Sequence, residues 1–184
     1  MAARTGRSDD GSRRANPLAT GVLALGVAAG ILMLISLFST IASVDVANGS
    51  CEVINDADPS LADRCALSGF ERHGIAFLLL GLIALALAYG AGPGRSRPAA
   101  VGLIVVGAIA LILALLVDLP VTDDTGAIGR DFEGATASAG TGLWIEALSG
   151  VLALGAGGLA LLIPKPPPPP RRRRERQPAV QDEV

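Results

Sequence analysis

The sequence predicts an all-α protein: a four-helix transmembrane bundle with a disordered N-terminal tail and a Pro/Arg-rich C-terminal tail. Three observations predict it. Charge is absent between Arg14 and Asp45, between His73 and Arg95, between Arg97 and Asp118, and between Glu146 and Lys165. Each window holds at least 18 residues, enough at about 1.5 Å per residue to cross roughly 30 Å of hydrocarbon. The chain is 51% hydrophobic over 184 residues, with mean hydropathy +0.52, too apolar for a small soluble domain that needs a polar shell. Finally, 12 of its 15 basic residues fall in the N-terminal tail, a short central loop and the C-terminal tail, whereas 12 of its 17 acidic residues fall in or beside the other two loops. Basic residues flanking a span resist translocation. An even number of spans is therefore expected, with both termini cytoplasmic in a multi-pass protein of the cell membrane.

Residues 1–16 mix Gly, Ser, Asp and Arg without periodicity and are expected to be a disordered cytoplasmic tail. Arg13-Arg14 precedes an apolar run too long for the core of an export signal, so an uncleaved first span is expected over 17–44. An outer loop over 45–73 contains both cysteines, Cys51 and Cys65, and an oxidising compartment makes a disulfide the expectation there. The second span covers 74–91. Gly92-Pro93-Gly94-Arg95 opens an inner loop, 92–98, that turns the chain straight back. The third span is expected over 99–117, a second outer loop over 118–141, and a fourth span over 142–163 with Trp144 as an interfacial anchor. The spans and loops together form the membrane domain, 17–163. From 164 to 184 the run Pro166–Pro170 predicts extended polyproline II, followed by Arg171, Arg172, Arg173, Arg174 and Arg176. Those arginines suit anionic lipid head groups or a partner protein. One lysine against 14 arginines points to a GC-rich, bacterial genome.

Small residues recur at four-residue spacing: Gly26 with Gly30, Ala84 with Ala88, Ala110 with Ala114, Ala153 with Gly157. Such pairs let helix backbones approach closely in lipid. Packing within one bundle is the expected use, and dimerisation the alternative. Glu146 is the one acid inside a span, and an ionisable group there is a functional candidate. With Asp118 and His73 it makes a candidate polar site at the outer face, where Glu146 is expected to reach water or pair with Arg72, His73 or Arg130. The clusters Asp56, Asp58, Asp63 and Asp123, Asp124, Asp131, Glu133 lack the central Gly and closing Glu of a calcium loop. No metal site and no cofactor are expected from spacing alone.

Four spans with a cysteine pair in the first outer loop share the outline of claudin-type proteins, but the Trp and Gly-Leu-Trp pattern of that family is missing from the loop. The stretch Asp118-Leu119-Pro120 through Thr125-Gly126-x-x-Gly129 to Gly142-Leu143-Trp144-x-Glu146 resembles small four-span membrane proteins of actinobacterial type, mainly over the second half of the chain. That resemblance implies the fold and no activity. The expected role is structural, accessory or scaffolding, with lipid, another membrane protein or a second copy as partner and no nucleic acid. The alternative is a component of an oligomeric small-solute transporter or channel that uses Glu146. An enzyme is not expected: it would need Asp118, Glu146 and His73 to converge without any nucleophile or metal pattern in the sequence.

Overall fold

The computed structural model describes residues 17–47, 49, 51–58 and 65–164. The N-terminal tail, Asp63 and the proline–arginine tail with Arg171–Arg174 and Arg176 lie outside them. Four long helices dominate: α1 (Pro17–Ser36), then, after two strands and two short helices, α4 (Ala76–Ala91), α5 (Arg97–Ile112) and α7 (Thr141–Leu162). They form a ring in which α1 packs on α4 and α7, and α5 packs on α4 and α7. Three helical segments are long and apolar enough to cross a membrane: Pro17–Ser36, Arg97–Asp131 and Thr141–Leu162. α4 is equally apolar but has 16 residues.

The side chains are distributed for hydrocarbon rather than water. The interior seams are lined by Ala29, Ala84, Ala88, Ala110, Ala153 and Ala156 with Gly26, Gly107 and Gly157, all buried. The outward surface carries Ile31, Ile35, Leu79, Leu82, Val105, Ile109, Leu148 and Val151. A water-soluble bundle does the reverse, because only contact with water rewards hiding large apolar groups. The small-residue pairs serve the chain's own seams: Gly26 faces Ala88, Gly30 faces Leu85 and Gly81, and Gly157 faces Ala100 and Ile104.

Several boundaries depart from the sequence expectation. The uninterrupted apolar run over 17–44 is not one helix, because α1 stops at Ser36 and Thr40–Asp45 is a strand, β1. Two serines mark the exit: Ser36 Oγ donates to the Met33 carbonyl (2.8 Å) and Ser39 Oγ to that of Ile35 (3.1 Å). β-Branched Thr40, Ile41 and Val44 then suit a pleated strand. The described parts of the expected loops 45–73 and 118–141 are also structured. They supply β2 (Ala66–Ser68) and β3 (Thr136–Ala139), which flank β1 in an antiparallel sheet ordered β2-β1-β3. Among the described residues, three short α-helices accompany the sheet: α2 (Cys51–Ala57), α3 (Gly69–His73) and α6 (Ile128–Asp131). The protein is mostly helical, but not all-α. The inner loop is shorter than 92–98, since Arg97 and Pro98 already belong to α5, where a proline in the first turn loses no hydrogen bond.

Register in the sheet pairs Ala42 with Ala139, Ser43 with Ser138 and Val44 with Ala137, while Ser43 faces Ala66 on the other side. Val44 enters a second small core with Ile54, Cys65 and Ile128. Cys51 and Cys65 are joined there by a disulfide, their Cα atoms 5.4 Å apart. Their 14-residue separation corresponds to about 3 kcal/mol of chain entropy withheld from the unfolded state. Replacing both cysteines with serine should loosen this cap by about that amount and leave the bundle folded. Hydrogen exchange checks it: protection should fall across β1, α2 and β2 and persist in α5 and α7.

Candidate functional site

Among the described residues, cap and bundle meet at one polar cluster, and each member is held by local chemistry. Ser68 starts α3 as a capping box: its hydroxyl accepts from the Glu71 N–H (3.4 Å), and its own N–H donates to the Glu71 carboxylate (2.8 Å). The Ser68 backbone N–H and hydroxyl together hold the Glu71 carboxyl below its ordinary range. The start of α3 is tied to the end of α1, with Gly69 N–H donating to Ser39 O (3.1 Å) and Phe70 N–H to Leu37 O (2.8 Å). Gly69 lies so close to the Ser36 carbonyl that no Cβ fits. This fixes the last two residues of α3, Arg72 and His73.

Asp118 arrives from α5. Beyond Ile112 the helix widens into a π-turn, Leu113–Asp118, in which the Leu119 N–H reaches back five residues to the Ala114 carbonyl. Pro120 next offers no N–H to continue the ladder, and the chain tightens into a 3₁₀ turn, Leu119–Asp123. The widened turn sets Asp118 inward, and π-turns of this kind recur at functional sites. Glu146 comes from the second turn of α7, whose start is pinned by the Gly140 N–H donating to Ile41 O (2.7 Å).

The geometry is compact. Arg72 Nε donates to Asp118 Oδ1 at 3.0 Å, and its Nη2 donates to the Val117 carbonyl at 3.2 Å. His73 Nε2 lies 2.9 Å from Asp118 Oδ2 and 3.6 Å from Glu146 Oε2. Both carboxylates are fully buried and the His73 side chain is 8% exposed. The imidazole stacks on Phe77, with ring centroids 4.9 Å apart. Burial works to lower the His73 pKa, but the adjoining carboxylates of Asp118 and Glu146 outweigh it and the group is pushed up to about 9.

The sequence-derived polar trio of His73, Asp118 and Glu146 is thus brought together by three separate elements. Glu146 faces this cluster, not water, and it stands opposite His73, not Arg130. Arg72 was visible in the sequence only as a possible partner of Glu146, whereas its carboxylate is Asp118. Nothing in the spacing announces that pairing, since 46 residues separate the two. The cysteines sit in the cap's own core, apart from the cluster. Below the cluster the bundle is apolar, with Met33, Leu103, Ala110 and Ala153 in one continuous core. The buried hydroxyls of Ser36 and Ser149 are committed to carbonyls of their own helices. No family model, curated protein or solved structure matches this chain.

Proposed function

We infer that this chain is a four-span membrane protein with a structural or accessory role, presenting a disulfide-closed cap on the outer face of the bilayer. The observation that carries this reading is the placement of the Arg72–His73–Asp118–Glu146 cluster, sealed where the cap meets the bundle, above an apolar core. A polar cluster confined to one end joins two parts of a molecule. It does not make a path through the other end, which weighs against solute transport by a single chain through Glu146.

Three features bear on the membrane placement. The 16 residues of α4 cover about 24 Å at 1.5 Å per residue, a modest shortfall that local thinning of the bilayer absorbs. Phe38, Phe70, Ile75 and Trp144 are exposed at the cap end of the helices, where interfacial anchors belong. At the opposite end lie Arg95 and Arg97, which favour the cytoplasm. The cap would then meet an extracytoplasmic partner, while Arg171–Arg174 and Arg176 would hold the C-terminus to anionic lipid.

Single cysteines tested with a membrane-impermeant maleimide on intact cells check the topology. We expect labelling at Asp124→Cys and at Gly126→Cys, and none at Gly94→Cys until the membrane is opened. Labelling of Gly94→Cys in intact cells would sink the orientation, and labelling of Gly94→Cys together with Asp124→Cys would sink the four-span reading. For the role, Glu146→Gln in proteoliposomes should leave the flux of small ions and solutes at the protein-free level, as with the unaltered chain. A flux that the unaltered chain supports and Glu146→Gln abolishes would establish the transporter instead.

A further inference from the structure

We propose that His73 Nε2, Asp118 Oδ2 and a carboxylate oxygen of Glu146 bind one divalent transition-metal ion of the zinc class, locking the cap to the helix ends. The inference uses the same cluster as the reading above but does not depend on topology, because the ligands converge whichever way the chain is inserted.

The first argument is what these atoms lack. Among the described residues, four buried side-chain polar atoms have no hydrogen-bond partner: His73 Nε2, Asp118 Oδ2 and both oxygens of Glu146. His73 Nε2 and Asp118 Oδ2 are 2.9 Å apart without the alignment of an N–H···O bond. Leaving a buried carboxylate oxygen unbonded costs several kcal/mol, so three of them beside an unbonded ring nitrogen call for a shared occupant. The atoms that would meet it all lie within 4.8 Å of one another.

The second argument is spacing and support. Ligands about 2.0–2.1 Å from a tetrahedral zinc ion stand about 3.3 Å from each other; the two separations from His73 Nε2, 2.9 and 3.6 Å, bracket that value, and the two carboxylates come within 4.8 Å of each other. Arg72 occupies the other oxygen of Asp118 and leaves Oδ2 turned toward the imidazole, while Phe77 holds the ring face. Such outer partners orient metal ligands. Three protein donors leave the fourth position to water.

The donor set selects the metal. Calcium and magnesium favour six or more oxygens or several retained waters, whereas one imidazole with two carboxylates suits zinc and its first-row neighbours. Cys51 and Cys65 are tied up in their disulfide and do not compete.

The full-length chain in detergent micelles, stripped with EDTA, is titrated with Co²⁺ alone and then with Zn²⁺ alone. We expect one equivalent of Co²⁺ with visible d–d absorption and no thiolate charge-transfer band, displaced by one equivalent of Zn²⁺. Zn²⁺ but not Mg²⁺ should raise the thermal midpoint of the unaltered chain, a readout that requires no variant to fold. Glu146→Gln and His73→Gln should each weaken Co²⁺ binding by about tenfold or more, and Arg72→Gln by about tenfold. Asp124→Asn on the exposed turn should bind as the unaltered chain does. Absence of stoichiometric Co²⁺ or Zn²⁺ binding by the unaltered chain overturns the proposal. So does unchanged binding in both glutamine variants with their Cys51–Cys65 bond intact. Neither result touches the maleimide topology.

Discussion

Asp118→Ala should destabilise the protein by about 3 kcal/mol, the low end of the range for removing one partner of a buried ion pair. Asp118 is fully buried and holds Arg72 at 3.0 Å and His73 at 2.9 Å. Its loss leaves the imidazole with Glu146 alone, at 3.6 Å. Arg72 is 32% exposed and can turn partly to solvent, which is why the upper end of the range is not expected. Equilibrium unfolding in mixed micelles, followed by tryptophan fluorescence, measures the change. Asp123→Ala on the exposed turn should stay within about 0.5 kcal/mol of the unaltered chain. Equal stability of the two variants would mean that the cluster does not hold cap and bundle together. A third variant separates stability from purpose. Replacing His73, Asp118 and Glu146 together with leucine, leucine and methionine removes every buried charge, and buried ion pairs so replaced are often no less stable. Near-native stability in that variant is expected, and it would show that the cluster's charges are not needed for stability.

Gly107→Ala and Gly155→Ala should have opposite effects although both lie inside helices. Alanine is better than glycine by about 0.8–1.0 kcal/mol in a helix interior, so propensity alone favours both changes. At Gly155 a Cβ would meet nothing within 4 Å, and a gain of about 0.5–1 kcal/mol is expected. At Gly107 it would stand 2.7 Å from both the Gly150 carbonyl oxygen and the Leu154 nitrogen of α7. Backbone cannot rotate aside as a side chain can, so α5 and α7 must separate, at a net cost of about 2 kcal/mol after the propensity gain. The shift should appear in the same unfolding assay. A stabilised Gly107→Ala variant would contradict the close α5–α7 seam.

The helices were legible because hydropathy is a local, additive property: an uncharged run of sufficient length reads as a helix from its own residues. The strand β1 was not. Thr40–Asp45 continues the first apolar run without a charge until its last residue, and only pairing with Ala66–Ser68 and Thr136–Ala139 makes it a strand. A strand's hydrogen bonds lie on other segments, so its own composition does not declare it. The π-turn before Asp118 was equally hidden, since it depends on how the end of α5 accommodates Pro120 and the contact with Arg72.

The sequence by itself determined that the chain is apolar in four blocks, that its charges are sorted between two sets of segments, and that its few chemically capable groups, His73, Asp118 and Glu146, stand at the ends of those blocks. Each is a property of residues and their near neighbours. Only the tertiary structure decided that these three groups face one another, with Arg72 on one carboxylate and, among the described residues, four buried side-chain atoms left without a hydrogen bond. They are contributed by α3, the end of α5 and the start of α7, which packing alone brings together. The order of charged and uncharged segments places the three groups at one face, but helix ends and cap contacts set the distances between them, and spacing along the chain does not.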